Sequence, residues 1–332
     1  MYKALLALIL LCSCALADSI LTYSFPDSQV HAQGDSKHKE ESAPYGITES
    51  ESITKHHKNQ LTIAQAHKDS QPTNVKHAAT EQSIVIVENG KTAIVTTTNK
   101  NPQPLKIGKK TLQWIKHPKD STKYIAIIPI HYYEKEGSFT LNNGQTLKIQ
   151  RGNYRQERIT ITDSSKVAPN QSAKERIQRE LAEANIIYKT YTTTRYWNTP
   201  FIYPMQSKIT SPFGSARVFN NEVKSYHGGT DFRAKQGTPI QASNDGIVVI
   251  AKERFLAGKS VVISHGEGIF SQYYHCSEIK VKVGQQVKKG QVIALSGNTG
   301  RVSAPHLHFG FIINGIQIDP LHFIDTINTL FE

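Results

Sequence analysis

Near the C-terminus, Pro305-His306-Leu307-His308-Phe309-Gly310 sets two histidines one residue apart in an apolar run. The pattern predicts a short strand. Side chains alternate across a strand, so His306 and His308 leave the backbone on one side with Leu307 opposite. Two adjacent imidazoles are costly to bury unless something binds them, and a divalent metal is the usual solution. His227-Gly228-Gly229-Thr230-Asp231 is the segment able to supply further ligands. A histidine and a carboxylate four apart, with two glycines between, suit a tight bend that aims both at one point. One more imidazole completes a set of two histidines and one carboxylate, with which Zn²⁺ commonly keeps a fourth position for water. HxxxD alone is common; its combination with HxH in one β-rich stretch makes the signal specific. Tyr273-Tyr274-His275 adds another imidazole. Histidines not used as ligands can take a proton from an attacking water, or hydrogen-bond the developing oxyanion or the leaving amine.

Three further stretches accompany these: Thr210-Ser211-Pro212-Phe213-Gly214, Ile263-Ser264-His265-Gly266 and Gly297-Asn298-Thr299-Gly300. In this order across about 200–320, the whole set resembles the catalytic domain of the LytM/lysostaphin-type zinc metallopeptidases, which cut the peptide part of peptidoglycan. The resemblance implies an antiparallel β fold with one Zn²⁺ in a groove between loops. It implies His227, Asp231 and His308 as zinc ligands, His306 as general base, and His275 as the partner that orients water or stabilises the transition state. Cys276 stands where a small apolar residue, often leucine, is usual, and is read as a structural thiol. His265 is read as structural and His322 as exposed. Arg217 and Asn220 face the groove or stabilise a loop; Tyr226, Tyr273 and Tyr274 line it or pack.

The implied substrates are stem and cross-bridge peptides of peptidoglycan, with D,D-endopeptidase action favoured over a carboxypeptidase trimming terminal D-alanine. A non-catalytic activator of another wall hydrolase is the rival from a different class. Such family members have typically lost zinc ligands, and all five positions stand here. A third reading, compatible with the first, is a latent enzyme in which part of 81–199 places a side chain on the zinc. Cell-shape or division proteins are further candidate partners.

The elements that must position these residues are mostly β. Ile84–Val87 and Thr92–Thr98 around Asn89-Gly90 read as a hairpin, and β-like runs follow at Tyr124–Ile130, Phe139–Leu141, Thr146–Gln150 and Glu157–Thr162. They form a small all-β domain over 83–165, which resembles the N-terminal module of some Gram-negative family members. A helix from Pro169 to about Tyr188, capped by Asn170 or Ser172, lies in a connecting segment over 166–199. The peptidase-like domain spans 200–332, with strands expected at Gly246–Ala251, Ser260–Ser264, Ser271–Tyr274, Lys280–Val283, Val292–Ser296 and His308–Ile313.

The N-terminus reads as an export signal. Lys3 precedes the apolar run Ala4–Leu11, and Ala15-Leu16-Ala17 offers a small-x-small cleavage site, giving a signal peptide over 1–17. Leu11-Cys12-Ser13-Cys14 also resembles a lipobox, and acylation of Cys14 would tether the chain to a membrane. Cleavage after Ala17 leaves Cys276 as the one cysteine, so no disulfide framework is possible. Residues 18–82 are polar, without apolar periodicity, and read as a disordered arm. The expected location is the periplasm or cell envelope of a Gram-negative bacterium. The net charge of +12 is concentrated between 81 and 199, where 19 Lys+Arg face 10 Asp+Glu. In an exported chain without a nucleic-acid-binding motif this points away from nucleic acid and towards an acidic polymer, a membrane surface or a solvated basic face.

Overall fold

β-branched runs broken by Asn-Gly and other turn pairs set the architecture of the N-terminal part. The computed structural model describes residues 83–158, 170–219 and 222–332. The expected signal peptide, the arm and Cys14 lie outside the described residues. Strands β1 (Ile84–Glu88) and β2 (Thr92–Thr97) flank Asn89-Gly90. The turn forms, with Gly90 at φ +79° and the Lys91 amide donating to the Glu88 carbonyl at 3.2 Å. The two strands do not pair, which corrects the hairpin expectation. Strand β2 pairs antiparallel with β3 (Tyr124–Pro129). Strand β4 (Gly137–Thr140) pairs with β5 (Thr146–Gln150), and β1 runs parallel to β5. The reason lies in the turn amides: Asn89 N–H donates to the Gln150 carbonyl at 2.9 Å and Gly90 N–H to the Ile130 carbonyl at 3.0 Å. Each half of the turn is thereby committed to a different third strand.

The unbroken apolar run of β3 is buried on both faces, as such a run demands. Ala126 and Ile128 pack with Val87, Val95 and Leu147, whereas Ile125 and Ile127 join Trp197, Phe201 and Phe311 in the larger core. One strand thus serves both cores. The chain continues through β6 (Gln156–Arg158) to helix α1 (Gln171–Tyr188), capped by Asn170, whose side-chain oxygen accepts from Ala173 N–H at 2.9 Å.

Next come β7 (Ile209–Ser211), then the hairpin of β8 (Ala216–Phe219) and β9 (Glu222–Tyr226), to whose outer edge β6 adds in parallel. The main sheet is antiparallel throughout. It contains β10 (Thr230–Arg233), β11 (Gly246–Arg254), β12 (Gly258–Gly266), β13 (Ile269–Cys276), β14 (Gln286–Val287) and β15 (His306–Ile313). Its order is β7-β10-β15-β13-β12-β11-β14, with β16 (Ile316–Ile318) also on β15. Leu307, Phe309 and Phe311 point into the core beneath Phe323 and Ile327 of helix α2 (Pro320–Asn328). The alternate residues of β15 point the other way, and there α1 covers Ile312 and Phe270 through Ala184 and Tyr188. His308 shares that second face with Ile312, so the histidines emerge beside the helix-covered region. No helix among the described residues is long and apolar enough to cross a membrane.

Candidate metal centre

Strand register assembles the site. In the β10–β15 ladder Asp231 stands opposite His308 and Arg233 opposite His306; on the other side of β15, Tyr274 of β13 stands opposite His308. His227 arrives from the end of β9 through the Gly228-Gly229 bend. A Cβ on Gly229 would lie 2.5 Å from the Phe309 carbonyl oxygen and 2.6 Å from His308 Nε2, so this approach admits only glycine.

Three ligand atoms meet in a nearly equilateral triangle. His227 Nε2 lies 3.0 Å from His308 Nδ1 and 3.1 Å from Asp231 Oδ1, and His308 Nδ1 lies 3.0 Å from the same oxygen. Ligand bonds of about 2.0–2.1 Å in a tetrahedron space the ligand atoms about 3.3–3.4 Å apart. The triangle needs to open by only a few tenths of an ångström to fit, and one imidazole pair with one carboxylate is a donor set such an ion accepts. Among the described residues these three form the sole such group, and no side chain from the N-terminal β region joins it.

Backbone carbonyls fix the imidazole tautomers. A carbonyl only accepts, so the proton sits on Nδ1 of His227 (to Pro212 O, 3.1 Å), of His275 (to Thr299 O, 2.9 Å) and of His306 (to Ala304 O, 2.8 Å). Each then carries a lone pair on Nε2. For His227 that lone pair enters the triangle. For His306, Nε2 lies 3.6 Å from Asp231 Oδ1. The His275 ring centroid is 4.9 Å from that of His306 and 5.9 Å from that of His308. His275 sits at φ +64°, an uncommon conformation for a side-chain-bearing residue, and its amide is tied to the Ala257 carbonyl at 2.9 Å.

Burial alone would raise the Asp231 carboxyl. The imidazoles of His227 and His308 beside it override this and hold the group well below the ordinary carboxylate range, so it is ionised. Burial pushes the His308 imidazole down towards its neutral, ligating form. Burial, aided by His308, lowers His275 to about 3.

The five expected site residues are thus brought together, and the others sort out around them. Cys276 is buried, its thiol pushed up to about 12 by desolvation. His265 is fully buried between the Asp245 carbonyl (2.7 Å) and the Ser271 hydroxyl (2.8 Å). His322, expected at the surface, is half-buried in the first turn of α2, and its imidazole is lowered by that burial. Tyr273 is buried and packs, its hydroxyl accepting from Ser243 N–H at 2.8 Å. Asn220 lies outside the described residues. Sequence reasoning gave no role to Pro212, Thr299 and Ala304, which act through main-chain carbonyls that any residue carries. Two of the three lie in motifs whose side chains gave no clue to this.

Residues 225–320 match peptidase family M23. This stretch is a peptidase M23 domain. The chain is similar to peptidoglycan DD-endopeptidase ShyA of Vibrio cholerae, at 44% identity over 122 residues, covering 36% of this chain and 28% of that protein. It is also similar to DD-carboxypeptidase/endopeptidase Mpg of Neisseria meningitidis, at 36% identity over 122 residues, covering 37% of this chain and 27% of Mpg. The chain therefore spans little more than a quarter of the length of these curated relatives. Among solved structures, a Pseudomonas aeruginosa protein assigned to peptidase M23 superposes with a TM-score of 0.57 at 28% identity, covering 72% of this chain and 95% of that one. That superposition reaches well beyond the M23 domain, so the N-terminal β region has a counterpart there.

Proposed function

We propose that this chain is a zinc-dependent peptidoglycan hydrolase that cuts peptide cross-links as a D,D-endopeptidase in a Gram-negative cell envelope. The observation that carries the reading is the triangle of His227, Asp231 and His308, flanked by two further imidazoles whose Nε2 lone pairs are free to act. Two imidazoles and one carboxylate suit Zn²⁺; Ca²⁺ and Mg²⁺ favour oxygen-only sets. When bound, zinc supplies Lewis acidity and a water acidic enough to attack near neutral pH.

The chain's own residues do the proton work. His306, with Nδ1–H held by the Ala304 carbonyl, presents Nε2 to take a proton from the attacking water and return it to the leaving amine. His275, with Nδ1–H held by the Thr299 carbonyl, presents an acceptor at Nε2. It therefore orients the water, and a role as donor to the oxyanion would require a proton on Nε2. Asp231 stays ionised and supplies the carboxylate of the ligand set.

The substrate class is supported by the relatives named as peptidoglycan DD-endopeptidases. The leader-like N-terminus fits an envelope location, with a membrane tether if Cys14 is acylated. The basic excess over 81–199 fits a polymer bearing stem-peptide carboxylates. Mpg is named for both carboxypeptidase and endopeptidase activity, so the direct test offers zinc-loaded protein two defined substrates, a cross-linked muropeptide dimer and a pentapeptide monomer. Conversion of the dimer to monomers supports the proposal. Loss of only the terminal D-alanine moves the assignment to carboxypeptidase, and no change in either substrate favours the non-catalytic activator.

A further inference from the structure

The backbone of ligand His227 is enclosed by one short segment, residues 211–216. Its N–H donates to the Ser215 carbonyl at 3.0 Å, its carbonyl accepts from Gly214 N–H at 2.8 Å, and its Nδ1 faces Pro212 O at 3.1 Å and Ser211 Oγ at 3.2 Å. That segment is in turn gripped from outside the M23 domain. Ala216 N–H donates to the Arg155 carbonyl at 2.7 Å, continuing the parallel pairing of β6 with β8. The Tyr154 ring lies so close to Gly214 that a Cβ there would meet it at 2.0 Å.

Tyr132 makes the tightest link. Its buried ring stacks on Tyr226, the residue before His227, with centroids 4.0 Å apart and planes within 7°. Its hydroxyl donates to the Gly214 carbonyl at 3.1 Å. Tyr132 thus touches both the covalent neighbour of the ligand and the residue that hydrogen-bonds the ligand's carbonyl. Tyr154 and Phe213 complete the aromatic cluster at 4.8 and 6.2 Å from the Tyr132 ring.

We infer that the N-terminal β region is a clamp for the metal centre, with Tyr132 a positioning residue that sets His227 through Tyr226 and Gly214. The inference rests on the metal-site reading above. It assigns this region a supporting part in metal binding, distinct from a side chain laid on the ion.

The test uses the full chain without residues 1–17 as wild type, Tyr132→Ala and Tyr132→Phe. Zinc affinity is read by competition with a chromophoric chelator, and ligand geometry by the visible absorption of the Co²⁺-loaded protein. Supports of metal ligands typically change affinity by about 10–100-fold. Tyr132→Ala should weaken zinc at least tenfold and alter the Co²⁺ spectrum. Tyr132→Phe keeps the stack and loses only the hydroxyl contact, so it should retain most of the affinity and the wild-type band shape. Affinity and spectrum unchanged in Tyr132→Ala, even with a lowered melting temperature, would reduce Tyr132 to a packing residue and overturn the inference. Should Tyr132→Ala not fold, Tyr132→Leu, which keeps apolar bulk but loses both the stack and the hydroxyl, is read the same way, and unchanged zinc affinity and Co²⁺ spectrum there would overturn the inference. Failure of the wild type itself to bind zinc would refute the metal-site reading instead.

Discussion

The Tyr274 ring lies parallel to the imidazole of His308, with planes within 9° and centroids 5.4 Å apart. Their pairing across β13 and β15 puts them on one face of the sheet. The Tyr274 hydroxyl lies 3.2 Å from the Tyr188 hydroxyl at the end of α1, which also accepts from Gln272 Nε2 at 2.8 Å. Helix α1 is therefore joined to His308 of the candidate metal centre by one ring and one hydrogen bond. Tyr188→Phe leaves the buried Gln272 amide without this acceptor, which costs about 1–3 kcal/mol for a buried polar group, while Tyr274 keeps Arg254. We expect a lowered melting temperature with zinc affinity reduced several-fold. Unchanged values for both would show that the link does not bear on the site.

The two glycines of His227-Gly228-Gly229 are not equivalent. A Cβ on Gly229 collides with backbone and with His308 itself, whereas the nearest atoms to one on Gly228 belong to the side-chain amide of Gln317, from 2.3 Å, which can swing away. Gly229→Ala should cost about 1–3 kcal/mol through overpacking and abolish tight zinc binding. Gly228→Ala should keep both. Thermal melts with zinc titration of the two variants check the contrast, and equal loss in both would contradict it.

His265 makes stability depend on pH. Burial lowers its pKa from 6.5 to about 4, so the folded state holds it neutral while the unfolded chain binds a proton below about 6.5. Its contribution is present above that pH and is lost progressively between about 6.5 and 4, on the order of 3 kcal/mol in all. In chelator, the melting temperature should fall across this window, and the fall should be shallower in His265→Gln. Parallel curves for the two proteins would remove this assignment.

Cys276 is buried and its thiol is pushed up to about 12. The native protein lacking residues 1–17 should resist thiol reagents until unfolded, and Cys276→Ala should hydrolyse substrate like the wild type. Rapid labelling of the native thiol, or lost turnover in the variant, would contradict a purely structural role.

The site was legible in the sequence because its side chains recur at spacings that strands enforce: HxH puts two imidazoles on one face, and Gly228-Gly229 marks a close approach. What was not legible acts at longer range or through the main chain. Asn89-Gly90 does specify a turn, but its amides are taken by Gln150 and Ile130, whose proximity no local pattern reveals. The expected strand over Lys280–Val283 gives way to a turn at Gly284, φ +84°, with pairing confined to Glu278–Ile279. The apolar run of β3 announces burial on both faces without saying that the second face belongs to the larger core. Tyr132 carries no motif at all; its meaning comes from a ring 94 positions later, Tyr226.

Metal-dependent cleavage of peptidoglycan peptides is read out by digestion of purified sacculi. The protein lacking residues 1–17 is incubated with sacculi in the presence of zinc, in the presence of a chelator, and as His308→Ala, and released muropeptides are read by mass spectrometry. Cross-linked dimers should fall to monomers only with zinc and an intact His308. Dimers that persist in the zinc-loaded wild type, or that disappear equally with chelator or His308→Ala, would contradict metal-dependent cleavage.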